Sequence, residues 1–227
     1  MNGVWGALLP LVVGSAVVPI QVVVVLLLLQ GGGRVPALAW VAGVSTVRLL
    51  QGLVFGVVLR PETPTTSAPG PDAASPFTAS LLLVLGVLLL VMAGRRALDQ
   101  PDEDAPPPRW LEATASMGPG RAYVFGALSM VVGAKFWVFT LGAVAAIHDA
   151  ALPTATGVLA FVLFVVLAQA LQVAALVVAF AAPRRADDVL GPAAGWLTRH
   201  NRPLVIGVGI VFGVWFAVKG LTGLGLV

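Results

Sequence analysis

Cysteine is absent from all 227 residues, so neither a disulfide nor a thiolate metal site can form. Charge is scarce: Asp, Glu, Lys and Arg make up 10% of the chain, against 59% hydrophobic residues and a mean hydropathy of +0.99. A chain with so little polar surface cannot cover a soluble globule. Its apolar runs are long enough for α-helices that cross a hydrocarbon core of about 30 Å, and they lack the alternation of barrel strands. An all-α integral membrane protein is expected.

The apolar runs define six spans: Val4 to Leu29, Val35 to Leu59, Phe77 to Gly94, Ala122 to Ile147, Leu152 to Ala182 and Leu204 to Leu226. The first lacks the basic region and small-residue cleavage site of a signal peptide and is read as a retained helix. Arginines flank the spans unevenly. Arg34, Arg95, Arg96, Arg109, Arg121, Arg184, Arg185, Arg199 and Arg202 fall on one side, and Arg60 alone on the other. The positive-inside rule then places both termini, and the Pro/Thr-rich loop Pro61 to Pro71, away from the cytoplasm of a plasma (inner) membrane.

Acid is missing from the spans altogether. All ten aspartates and glutamates lie in loops or at span ends. A cation pump or proton relay would place carboxylates or histidine inside the bundle, so those classes are disfavoured. His148 and His200 are the only histidines and sit in or near loops; there is no phosphate-binding Gly-rich loop and no metal-spaced cluster. Neither an enzyme nor a cofactor, a metal or a nucleic-acid partner is expected. Transport would be secondary, facilitated or driven by a partner.

Two cations lie deep. Arg48 is about 20 Å along span two and Lys135 about 20 Å along span four, at about 1.5 Å per residue. Each is read either as a contact to an anionic substrate, which a guanidinium can hold by two hydrogen bonds, or as a donor to backbone carbonyls freed by a broken helix. Lys219, near the end of span six, reads as an interfacial anchor. Ser45, Arg48 and Gln51 share one face of span two, as do Gln169 and Gln172 on span five. These polar groups either line a pathway or bond helix to helix. Span one is interrupted by Pro10 and Pro19, with Gly14 and Ser15 between them, which is expected to open the backbone. The span glycines Gly43, Gly52, Gly56, Gly126, Gly133 and Gly142 are expected to mark close helix packing.

Spans one to three can be laid over four to six, with Val17-Val-Pro19-Ile-Gln21 against Val132-Gly-Ala-Lys135. An odd number of crossings per half makes the halves oppositely oriented, as in transporters with a central site. The expected units are a first three-helix repeat over 1–94, a cytoplasmic linker over 95–121 and a second repeat over 122–227. Asp99 to Pro108, charged and proline-rich, reads as disordered. Ala186 to Arg202 reads either as an interfacial helix carrying Val189, Leu190, Trp196 and Leu197 or as a wet loop broken at Gly191-Pro192.

Gly14-Ser-Ala-Val-Val-Pro19-Ile, a Leu/Val run, Gly31-Gly-Gly-Arg34 and Ala39-Trp-Val-Ala-Gly43 together resemble the start of the mycobacterial glycopeptidolipid and sulfolipid addressing proteins, a six-span branch of the lysine exporter superfamily. Gly133-Ala-Lys135 resembles the Asn-Pro-Lys signature of that superfamily, with Gly-Ala in place of Asn-Pro. The resemblance implies a small exporter or flippase that moves a lipid or glycolipid outward, leaves a homodimer open, and marks Pro19 and Lys135 as site residues. The composition is compatible with a high-GC actinobacterial source.

The expected function is therefore export of an anionic lipid or glycolipid by alternating access. Its candidate binding residues are Pro19, Gln21, Ser45, Arg48, Gln51, Lys135, Gln169 and Gln172. Export of small amphiphiles or amino acids, and a non-transporting role beside lipid-synthesis or export machinery, are the alternatives. Anionic membrane lipids are the expected partners.

Overall fold

A computed structural model describes residues 2–16, 19–31, 33–58, 76–99, 113–182 and 186–227. Helix accounts for 91% of them, and none of them lies in a strand. The long elements are α1 (Asn2–Ala16), α2 (Pro19–Gly31), α3 (Arg34–Val58), α4 (Pro76–Leu98), α5 (Pro119–Val132), α6 (Ala134–Asp149), α7 (Thr154–Ala168), α8 (Ala170–Ala181), α9 (Ala186–Arg199) and α10 (Asn201–Gly223). The loop Pro61 to Pro71, nearly all of the segment Asp99 to Pro108, and Arg60, Arg109, Arg184 and Arg185 lie outside the described residues.

By length and composition α3, α4 and α10 can each cross a membrane alone. The pairs α1–α2, α5–α6 and α7–α8 are bent by 50°, 71° and 63°, and each reaches span length only as a pair. The described residues thus hold three unbroken candidate spans, and six if each bent pair is one. Span one is broken, as its prolines led one to expect, and spans four and five, drawn from the sequence as single runs, are broken as well.

Each break has a local cause. Pro10 interrupts nothing, because α1 runs straight through it; one lost hydrogen bond is tolerated within the helix. The break comes just before Pro19, which opens α2, where the missing N–H costs nothing and where proline disfavours helix in the residue before it. At Gly133 the chain leaves the helical region, with ψ 89°. The indole Nε1–H of Trp137 then reaches the Met130 and Val131 carbonyls, both at 3.0 Å, which the end of α5 leaves without a helical partner.

The third break involves neither glycine nor proline. The Gln169 side-chain amide donates to the Val165 carbonyl at 3.2 Å, the acceptor its own backbone N–H would take in an unbroken helix. That N–H bonds Val166 instead, and the ladder turns.

Packing follows small residues. A methyl group on Gly43 would strike the Tyr123 carbonyl, and one on Gly126 would strike that of Trp40, so α3 and α5 cross with backbones in contact. Gly52 and Gly142 likewise lie against Phe161 and Leu11; Gly56 departs from the expectation, with nothing near it. α4 pairs with α10 through Gly86, Gly209, Gly213 and Gly220. At the end of that pair Arg202 donates to the carbonyls of Arg96, Ala97 and Asp99, closing the C-terminus of α4 with positive charge.

The segment 186–202 is a helix, not a wet loop: α9 continues through Pro192 and buries Leu190 and Ala194, one turn apart, in a cluster with α2. Trp196 is half exposed and stacks on His200 with ring centroids 4.7 Å apart.

Candidate functional site: a polar layer between two apolar clusters

Two apolar clusters fill the interior. One joins Val22 to Leu28 of α2, Ala37 to Val44 of α3 and Ala175 to Ala179 of α8 with parts of α5 and α9. The other joins Val4 to Val12 of α1, Val138 to Ala143 of α6 and Ala160 to Ala168 of α7 with parts of α4 and α10. The chain passes between clusters at or near the three breaks, and α3 leaves the first cluster after Val47. Ser15, Gln21, Arg48, Gln51, Thr140, Gln169 and Gln172, all buried, stand at those crossing points, with Ser45 half-buried beside them. Helix periodicity brings Ser45, Arg48 and Gln51 to one stripe of α3. The breaks bring Ser15 of span one and Gln169 of span five to meet it.

Arg48 is wholly buried, and its Nη2 donates to Ser15 Oγ at 2.8 Å. Its guanidinium lies 5.8 Å from the centroid of the Phe164 ring, within cation–π range. Nε and Nη1 have no partner among the described residues. Gln51, one turn on, has neither its amide nitrogen nor its oxygen paired among the described residues. Ser45 donates to the Val41 carbonyl at 2.8 Å and accepts from Gln169 Nε2 at 2.9 Å, so α3 is tied to the α7–α8 break. Gln172 Nε2 donates to Gln21 Oε1 at 3.0 Å, and Gln21 Nε2 reaches the Met130 sulfur at 3.6 Å. The Gln172 oxygen is likewise unpaired among the described residues.

Buried polar atoms are normally hydrogen-bonded, and each exception costs about 1–3 kcal/mol. Here the unpaired capacity is concentrated on one stripe of α3 and is richer in donors than in acceptors. A positive, donor-rich group in a low-dielectric interior is suited to an oxyanion such as sulfate, phosphate or carboxylate.

Of the residues expected from sequence, Gln21, Ser45, Arg48, Gln51, Gln169 and Gln172 fall in this layer. Pro19 heads α2 and Lys135 lies in the first turn of α6, immediately after the 71° bend; the side chains of both lie outside the described residues. Ser15, expected only to loosen span one, is the guanidinium's partner. Phe164, Met130 and Thr140 were not singled out. The available signal for Ser15 was a hydroxyl in an apolar run close to Pro19; for Phe164 there was none. Lys219 is exposed near the end of α10, and His148 and Asp149 end α6, away from the layer. Among the described residues no group of His, Asp or Glu could hold a metal ion.

A family model described as sulfolipid-1-addressing protein matches residues 8–222. No curated protein and no solved structure matches the chain. The match runs through every helix from α1 to α10, including the three breaks and the polar layer, and so the chain belongs to the sulfolipid-1-addressing protein family.

Proposed function

We propose that the chain is a lipid exporter or flippase that carries an anionic lipid or glycolipid across the inner membrane by alternating access. The observation that carries the reading is Arg48: a fully buried guanidinium in the middle of a span, with two of its nitrogens, and the amide of Gln51 one turn away, unpaired among the described residues. A charge at that depth costs about 2.5–3.5 kcal/mol on insertion scales, so its presence calls for a ligand as much as for packing. The family's name adds a substrate class, since a sulfolipid carries an acidic headgroup of the kind two guanidinium hydrogen bonds fit.

In this reading residues 1–94 and 122–227 are inverted three-helix repeats joined by 95–121, with both termini outside the cytoplasm. The breaks in α1–α2 and α5–α6 support it, because they fall in corresponding spans of the two halves. Pro19 frees backbone groups at one break, and Lys135 adds positive charge at the other. Rocking of the halves about the polar layer would expose Arg48 to each side in turn.

The test is mass spectrometry of lipids retained by the purified protein, wild type against Arg48→Gln and Lys135→Gln, beside headgroup translocation in liposomes. Specific retention of an acidic lipid and its translocation, both lost with Arg48→Gln in a folded protein, is the expected result. Equal retention by all three proteins would refute the site. Competition by soluble amino acids would replace the lipid with a small solute. Inactivity in liposomes with stable capture of lipid-synthesis proteins would replace transport with an accessory role.

A further inference from the structure

An apolar groove lies outside the polar layer. Arg34 meets Phe180 at one end of α3, and Ser45 meets Gln169 further along, so α3 and α8 run antiparallel over about 16 Å between these two contacts. Between them is an open groove of about 540 Å³ lined by Leu38 and Val41 of α3 and Val173, Leu176, Val177 and Phe180 of α8. No polar side chain lines it. Leu38, Val177 and Phe180 are 50%, 58% and 50% exposed. At its mouth the guanidinium carbon of Arg34 lies 5.4 Å from the centroid of the Phe180 ring. Arg34, Leu38, Val41, Ser45 and Arg48 follow one another by three or four residues, so the groove and both arginines occupy a single stripe of α3.

We infer that this groove is a docking site for an anionic lipid of the leaflet that meets the start of α3, with one acyl chain between α3 and α8 and the headgroup on Arg34. An aliphatic and aromatic lining in a membrane favours a hydrocarbon chain and offers a headgroup nothing. The charge at the mouth supplies the complement. Phe180 holds the guanidinium over the end of the groove by cation–π contact, leaving its N–H groups free to face the headgroup level. Neutral and acidic lipids share the chain contact, and only the acidic lipid gains from Arg34. The site is distinct from Arg48 and requires only that the chain spans a membrane, so it stands or falls separately from transport.

The test is photolabelling of the full chain in nanodiscs of phosphatidylcholine containing a minor fraction of either phosphatidylglycerol or phosphatidylcholine with a photoreactive acyl chain. Labelled peptides are then mapped. The phosphatidylglycerol probe is expected to label 34–41 and 173–181 about five-fold more than the phosphatidylcholine probe, the preference one basic residue gives at an anionic interface. Arg34→Gln should bring the ratio close to one, and Val177→Trp, which fills the groove, should remove labelling by both probes. On the wild-type protein, high salt should lower the preference, a readout that does not depend on any variant folding. Equal labelling by the two headgroups, a preference that survives Arg34→Gln, or chain-to-chain crosslinks at these peptides in place of lipid adducts would overturn the proposal. The last result would assign the groove to a second copy of the chain.

Discussion

Arg48 and Ser15 share one hydrogen bond, and the physics of that bond gives their substitutions opposite signs. A guanidinium at the centre of a span costs about 2.5–3.5 kcal/mol to insert. Against this stand one hydrogen bond within a membrane protein, about 0.6–1.7 kcal/mol, and a cation–π contact with Phe164, about 0.5–2 kcal/mol. At their strongest these just cover the cost, and at their weakest they leave about 2 kcal/mol of it. Arg48→Met keeps the bulk of the stem and removes the charge, so the fold should be unchanged or firmer by up to about 2 kcal/mol. Ser15→Ala removes the only hydrogen-bond partner the guanidinium has among the described residues and leaves the charge in place, so stability should fall by about 1–2 kcal/mol. Both are read from urea midpoints in mixed micelles, followed by tryptophan fluorescence and helical circular dichroism together. A loss of more than about 2 kcal/mol in Arg48→Met would refute the reasoning. It would make the guanidinium part of the scaffold and its unpaired nitrogens irrelevant to a ligand.

Gly126→Val should abolish the α3–α5 contact and lower the melting temperature in detergent by many degrees, whereas Gly56→Ala, with nothing near it, should change it little. Gln21→Leu alone leaves the Gln172 amide buried without its acceptor and should cost about 1–3 kcal/mol, while the Gln21→Leu, Gln172→Leu double variant should cost less than the sum of the two single changes; a double-mutant cycle in denaturant shows whether the coupling exists. Arg202→Ala should lower thermal stability modestly through the C-terminus of α4, and Arg202→Lys should restore only part of it, because one ammonium cannot reproduce the fork that reaches three carbonyls.

Local features were legible in the sequence. The helical class follows from the length of the apolar runs, and the stripe Ser45, Arg48, Gln51 follows from helix period alone; both need no knowledge of neighbours. Partners were not legible. Ser15 lies 33 residues from Arg48, and Gln21 lies 151 from Gln172, so nothing local distinguishes a polar group that pairs from one that does not. Pro10 and Pro19 look equivalent in the sequence, yet α1 runs through the first and stops short of the second. The sequence also left α9 undecided, because the surface that covers Leu190 and Ala194 belongs to α2, distant along the chain. The bend at Gln169 escaped notice for a simpler reason: glutamine is an ordinary helix former, and only its hydrogen-bond geometry turns the span.

The three bends differ in permanence. Pro19 can never donate a backbone hydrogen bond, so a helix joining α1 and α2 would always lack one bond there. α7 and α8 are joined by residues that could all be helical. There a side-chain amide has taken a carbonyl from a backbone amide, one hydrogen bond exchanged for another, and the difference between the bent and straight forms is of the order of a single such bond, about 1 kcal/mol. Gln169 also grips Ser45, on the stripe that carries Arg48. Drawing that amide away would return the Val165 carbonyl to its own helix, and the side chain that sets this bend lies in the polar layer.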